Sequence, residues 1–287
     1  MLRHVRHLPF AVVLALATGC SAAPEEDVAT AESSQDLLAC GWLMGGSCGA
    51  LPSGNWRTAQ FWGDVYVEKY ASQLEYANTH IEAGPAPIKT PRTVLLITGV
   101  TIEKEWMMPI QKRLERDGFN TVIYEPPGLL SGDLFQASKA LGPIVDKILK
   151  DTGETKIDIL AECTGGVIAR HYIQSLGGDK KIDHMVTFVS PQHGLPVAPT
   201  VHMLVGWPAL HDLTPGSAFM HAVNDVSLPP SVKFTSIYSC TDEYIRPYST
   251  SIIPGATNIG LCHGFVGHFQ TMYDPSIYTI MHDQLVK

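Results

Sequence analysis

The stretch "DILAECTGGV", residues 158–167, decides how this chain folds. Its first half closes an apolar run of strand length, "KIDILA" at 156–161. Its second half opens a segment, 164–176, whose apolar residues recur at helical spacing until Gly177 and Gly178 stop it. Only small residues, Thr164, Gly165 and Gly166, follow the junction, so the strand can turn abruptly into the helix. Such an elbow lifts the side chain at the turn clear of the sheet, and here that side chain is Cys163. A helix dipole behind a cysteine favours its thiolate form.

Outward from the elbow, strands and helices alternate. Residues 93–98 ("TVLLIT"), 120–124 ("NTVIY"), 156–161 and 182–189 read as strands, and 103–117, 133–150 and 164–176 as helices. Residues 190–232, rich in Pro, His and Gly, break the alternation and read as a lid or substrate-facing insertion. It resumes with strands at 232–239 ("VKFTSIYS") and 256–261 ("ATNIGL") and a last helix at 275–286. The pattern predicts an α/β fold with βαβ crossovers and a mostly parallel central sheet flanked by helices.

The chain has 287 residues, 45% of them hydrophobic and 17% charged, enough for one sizeable core. With a net charge of −8 and no basic run beyond the first few residues, it is not a nucleic-acid partner. Arg3 and Arg6 precede a short apolar stretch, 8–17, too short to span a bilayer but of signal-peptide size. It runs through "LATGC" into Cys20, which resembles a lipobox. Residues 1–19 are therefore read as a lipoprotein-type signal peptide and Cys20 as the lipidated residue that tethers the chain to a membrane. A plain secretory signal cleaved near Ala22 or Ala23 is the alternative. Both export the chain, as an outer-membrane or periplasmic lipoprotein or as a secreted protein.

Residues 20–38, small and acidic, read as a disordered tether. Residues 39–91, with Trp42, Trp56, Phe61, Trp62, Tyr66, Tyr70 and Tyr76, read as an extension packed on the domain at 92–287. In an oxidising compartment Cys40, Cys48, Cys240 and Cys262 are disulfide candidates. Three pairings exist; the local one joins Cys40 to Cys48 and Cys240 to Cys262, and free buried thiols are the alternative.

Chemistry in such a sheet gathers at the carboxyl ends of the strands. Besides the elbow, three segments fall there. In "ITGVTIEKEW", 97–106, Gly99 lets the chain turn so that the Val100 N–H can face the Cys163 side chain, as the Thr164 N–H does from the helix start. Two such donors form an oxyanion site. "YSCTDEYIRP", 238–247, offers Asp242, with Glu243 as the alternative acid. "CHGFVGHFQTMYDP", 262–275, offers His263 and His268. Nucleophile, acid and histidine in that chain order match the order found in α/β-hydrolases.

Residues from about 92 to 287 resemble the class 2 triacylglycerol lipases, the group of the small bacillary lipases and the lipase B type. The likeness lies in the elbow, in "TSIYSCTDEYIRP" and "PGATNIGLCHGFVGHFQTMYDP", and in the lid-side "LTPGSAFM". The resemblance implies an α/β-hydrolase fold with Asp242 as the acid, His268 as the base, and Val100 and Thr164 as the oxyanion donors. A Cys240–Cys262 bridge would brace the acid and histidine loops. Two positions depart from the family: Cys163 stands where it carries serine, and Glu162 where it carries histidine or tryptophan. The elbow also resembles that of polyester synthases and dienelactone hydrolases, which carry cysteine there.

These readings predict a hydrolase of carboxylic esters acting on acyl substrates through a Cys163–His268–Asp242 triad and a covalent acyl-enzyme. An acyltransferase or thioesterase with a cysteine nucleophile, or a catalytically silent lipoprotein that binds lipid or a partner, is the alternative. His193, His202, His211 and His221 recur about every ten residues, which is no helix-face pattern, and read as solvated loop residues. No metal or other cofactor is expected. Arg170 and His171 read as surface residues.

Overall fold

The computed structural model describes residues 54–287. The readings made for the signal peptide, the tether, Cys20, Cys40 and Cys48 lie outside the described residues. Six strands form one parallel sheet: β1 (Thr93–Ile97), β2 (Asn120–Tyr124), β3 (Ile157–Glu162), β4 (Ile182–Phe188), β5 (Lys233–Ser239) and β6 (Thr257–Leu261), in the order β2-β1-β3-β4-β5-β6. Every residue of β1 and β3 is buried, whereas the edge strands β2 and β6 have no fully buried residue. Central strands covered on both faces read as largely apolar runs, which is why these were legible.

The chain steps from β1 outward to β2 and then returns across β1 to β3. The connections leaving the carboxyl ends of β1 and β3 therefore diverge to opposite faces and open a crevice between them, the usual place for a ligand in such a sheet.

The helices follow local chemistry. Helix α4 (Leu134–Thr152) begins where the Asp133 carboxylate accepts the Gln136 N–H at 2.8 Å, and ends at Gly153, whose φ of 75° suits glycine. The helix read at 103–117 is two pieces, a 3-10 turn at Lys104–Met107 and α3 (Met108–Arg116). Pro109 has no N–H to donate, which costs a hydrogen bond inside a helix but nothing in the first turn of a new one, where it stands. Helix α5 (Cys163–Ser175) follows β3 with no intervening residue. The 190–232 insertion carries three short helices, α6 (Ala198–Val205), α7 (Pro208–Asp212) and α8 (Ala218–Asn224). Two last helices follow β6: α9 (Gln270–Tyr273) and α10 (Pro275–Leu285).

The aromatic segment before the sheet forms α1 (Ala59–Lys69) and α2 (Ala71–Thr79), which belong to the same compact unit as the sheet. Trp62 is fully buried, and Tyr66 sets its ring 4.8 Å from that of Phe269, the neighbour of His268. Phe269 also packs on Trp106 at 4.7 Å, so α1 supports the histidine loop from behind.

Candidate active site

Cys163 sits at the top of β3 with φ of 45°, a left-handed backbone conformation that a residue with a side chain adopts only under constraint. The constraint is visible in the two glycines that follow. A Cβ on Gly165 would stand 2.6 Å from the Thr98 carbonyl oxygen, and one on Gly166 2.6 Å from Ser190 Oγ. The elbow thus presses against the neighbouring strand ends at distances only glycine allows. Ser190 Oγ donates to the Cys163 carbonyl at 2.5 Å and accepts from Gln192 Nε2 at 2.7 Å, which fixes the strained peptide.

The acid and histidine loops meet beside it. His268 Nδ1 lies 2.8 Å from Asp242 Oδ2, and Asp242 Oδ1 accepts the N–H groups of Tyr244 at 2.7 Å and Ile245 at 2.8 Å. Glu243, the other acid of the pair, accepts the His268 backbone N–H at 2.9 Å and so positions the loop, not the ring. A disulfide joins Cys240 to Cys262, and Ser239 Oγ donates to the Val266 carbonyl, so the two loops are tied at several points. Cys163 is a free thiol. His263, the other histidine of the loop, is exposed.

Glu162 is the residue whose place sequence reasoning left undecided. Its side chain is fully buried, with Oε1 3.0 Å from His268 Nε2 and Oε2 accepting the Gly99 N–H at 2.8 Å. The ring nitrogen that would face the thiol is thus shared with a carboxylate. The N–H engaged in the loop after β1 is that of Gly99, one residue before Val100. Gly99 can only be glycine here: a Cβ would stand 2.4 Å from Glu162 Oε2 and 2.7 Å from Cys163 Cβ. Val100 is half-buried in the same turn, followed by Thr101 at φ 64°. Thr164 is the second residue of α5, where helix geometry leaves an N–H without an intrahelical acceptor; its Oγ1 lies 3.7 Å from Cys163 Sγ. The motif marks Glu162 as a departure but does not show which way its carboxylate points.

The electrostatics follow from this crowding. Burial, and then the Glu162 carboxylate, push the Cys163 thiol above its ordinary range, so it rests protonated. Burial also raises Glu162, only partly offset by His268 and the Gly99 N–H. Burial opposes charge on His268, but Asp242 outweighs it, with help from Glu162, and the imidazole holds its proton well above the usual histidine value. Asp242, although buried, is held below the usual carboxylate range by His268 and by two backbone N–H groups.

Other candidates fall away from the elbow. Arg170 and His171, read as surface residues, are 3% and 5% exposed, because α5 is covered on both sides. Burial lowers Arg170 to about 10, and its Nη1 reaches Asn224 Oδ1 at 3.3 Å. Three of the four spaced histidines, His202, His211 and His221, stand on helices and not in loops. A cleft of about 420 Å³ lined by Leu228, Lys233 and Thr257 opens at the amino ends of β5 and β6, the opposite edge from Cys163.

This sheet order, the elbow and the loops at its carboxyl edge make the fold an α/β-hydrolase fold. A lipase of Bacillus licheniformis in its mature form shares it with a TM-score of 0.58 and 14% identity, over 70% of this chain and 96% of that one. Aspergillus fumigatus lipase B is similar over 72% of this chain and 56% of that one, at 18% identity and a TM-score of 0.59. A metagenomic carboxyl esterase is similar over 63% and 66%, at 15% identity and a TM-score of 0.51. At these identities the likeness is one of fold. No family model matches the chain.

Proposed function

We propose that this chain is an exported hydrolase of carboxylic esters that works through a covalent acyl-enzyme on Cys163. The observation that carries the reading is the left-handed Cys163 at the end of a central strand, with a His268–Asp242 pair delivered beside it at 2.8 Å. In this reading the ester carbonyl oxygen takes the N–H groups of the Gly99–Val100 turn and of Thr164, displacing Glu162 Oε2. His268 first gives its Nε2 proton to solvent as Glu162 moves aside, and the neutral ring then accepts the Cys163 proton at Nε2 as Sγ bonds to the acyl carbon. His268 returns that proton to the departing alkoxide, and water hydrolyses the thioester to the acid and the free thiol. Met203, 78% exposed within the apolar stretch "MLVGWPAL", supports an apolar acyl chain as the preferred substrate.

The test is turnover of p-nitrophenyl butyrate and a longer ester with intact-mass detection, beside Cys163→Ser and Cys163→Ala. Turnover with an acyl adduct on Cys163 that alanine abolishes supports the reading; turnover that survives Cys163→Ala sinks it.

The place of Glu162 favours one second reading, a silent scaffold that binds lipid or a partner, because its carboxylate holds the Gly99 N–H that a substrate oxygen would need. Lipid binding unchanged by Cys163→Ala, with no turnover before or after, would select it.

A further inference from the structure

Glu162, Cys163 and His268 offer a carboxylate oxygen, a sulfur and a ring nitrogen that lie within 4.8 Å of one another. We infer that these three side chains form a binding site for one thiophilic divalent cation, Zn²⁺ by chemistry. Bound there, the ion occupies the nucleophile and stops acyl transfer. The binding half of this inference stands on the geometry alone; the inhibitory half rests on the acyl-enzyme reading.

The donor set selects the ion. One sulfur, one imidazole nitrogen and one carboxylate oxygen suit a borderline-soft metal, whereas Mg²⁺ and Ca²⁺ demand oxygen alone. Metal–ligand bonds of roughly 2.0–2.3 Å set tetrahedral ligand atoms about 3–4 Å apart. The ring nitrogen on this side is Nε2, since Nδ1 faces Asp242, and it already stands 3.0 Å from Glu162 Oε1.

Two of the ligands are also held from behind. His268 Nδ1 is backed by Asp242, the carboxylate–histidine arrangement that orients a metal-binding imidazole, and Glu162 Oε2 is anchored by the Gly99 N–H. Three protein ligands leave a fourth coordination position open. On binding, the Cys163 S–H and His268 Nε2–H bonds break, a sulfur–metal and a nitrogen–metal bond form, and both protons leave to solvent.

A second cluster shows why this one is different. Asp158, Asp183 and His184 also bring ligand atoms together, but the Arg92 guanidinium is already ion-paired to both aspartates. Among the described residues, the ion-pair partner of Glu162 and of Asp242 is His268 alone, with no lysine or arginine joining them.

The experiment titrates Co²⁺ into the chelator-stripped full chain and follows the thiolate-to-cobalt charge-transfer band, with Zn²⁺ stoichiometry measured by calorimetry. One ion per chain is expected. The band should vanish in Cys163→Ser, which keeps every other cysteine, and affinity should fall at least about tenfold in Glu162→Gln and His268→Gln. Asp242→Asn, which removes no ligand, should weaken binding by roughly 10–100-fold, while Asp183→Asn leaves it unchanged. A natively folded chain with no band, or a band indifferent to Glu162→Gln, overturns the site and leaves ester hydrolysis standing. Metal binding as expected in a metal-free chain that never forms an acyl adduct keeps the site and overturns the hydrolase reading.

Discussion

The two ends of β3 carry the same ingredients and put them to different use. At its start Asp158 lies beside His184, and at its end Glu162 lies beside His268; both carboxylates are fully buried. Arg92 donates to Asp158 at 2.7 Å, and the His184 backbone N–H donates to it at 3.0 Å, so that charge is met by a permanent cation. Arg92 also donates to the Leu285 carbonyl, which ties the cation to the last helix. At the other end the counter-charge among the described residues is an imidazole, whose proton can leave. A buried carboxylate matched by arginine is a structural joint; one matched by histidine and set against a thiol is a chemical group.

The largest effects that test this contrast are on catalysis. Asp242→Asn leaves a side chain of the same shape but removes the charge that holds the His268 proton and tautomer. Turnover of an ester substrate should fall by about 10⁴-fold while the unfolding midpoint moves little. A loss below tenfold would show that Asp242 is not the orienting acid and would bring Glu243 back into question, although its carboxylate is spent on the His268 backbone N–H.

Next in size is the opposite end. Arg92→Met strands the Asp158 carboxylate without its cation, and breaking a buried pair from one side costs about 3 kcal/mol. Urea unfolding should show that loss, with the Cys163 chemistry of the folded fraction unchanged. If turnover per folded molecule falls as well, the two ends of the strand are coupled and the division between joint and reactive group fails.

How much of this was legible follows from the same contrast. The central strands and the elbow could be read because apolar runs and small-residue turns leave local marks in sequence, whereas the choice of Asp242 over Glu243 and of His268 over His263 came from a family resemblance. "DILAEC" even contains both buried carboxylates, at 158 and 162, but a strand fixes only which face a residue takes. Whether Glu162 turned to solvent or inward was decided by Gly99 in the loop after β1, 63 residues away in the chain. Arg170 and His171 were misread for a related reason: a polar residue on a helix reads as exposed until the elements that cover it are placed. The Cys240–Cys262 bridge was the local choice among three pairings, and the structure adopts it because β5 and β6 are neighbours whose last residues lie side by side.

The smallest expected effect probes Glu162 itself. Two causes raise the Cys163 thiol: burial first, then the neighbouring carboxylate. Glu162→Gln removes the second and keeps the first, so thiolate formation should move to lower pH yet stay above the range of a free cysteine. The measurement is the rate of iodoacetamide alkylation against pH, read on Cys163 by mass in a buffer with chelator present. The direct effect has one sign, because deleting a nearby negative charge favours a second anion, and it outweighs the indirect one through His268, whose proton is held first by Asp242. An inflection that does not move would mean that Glu162 is already protonated across that range, as its own burial promotes. The pair at the top of β3 would then be a neutral acid donating to His268, and the carboxyl end of the strand would be as settled as the amino end.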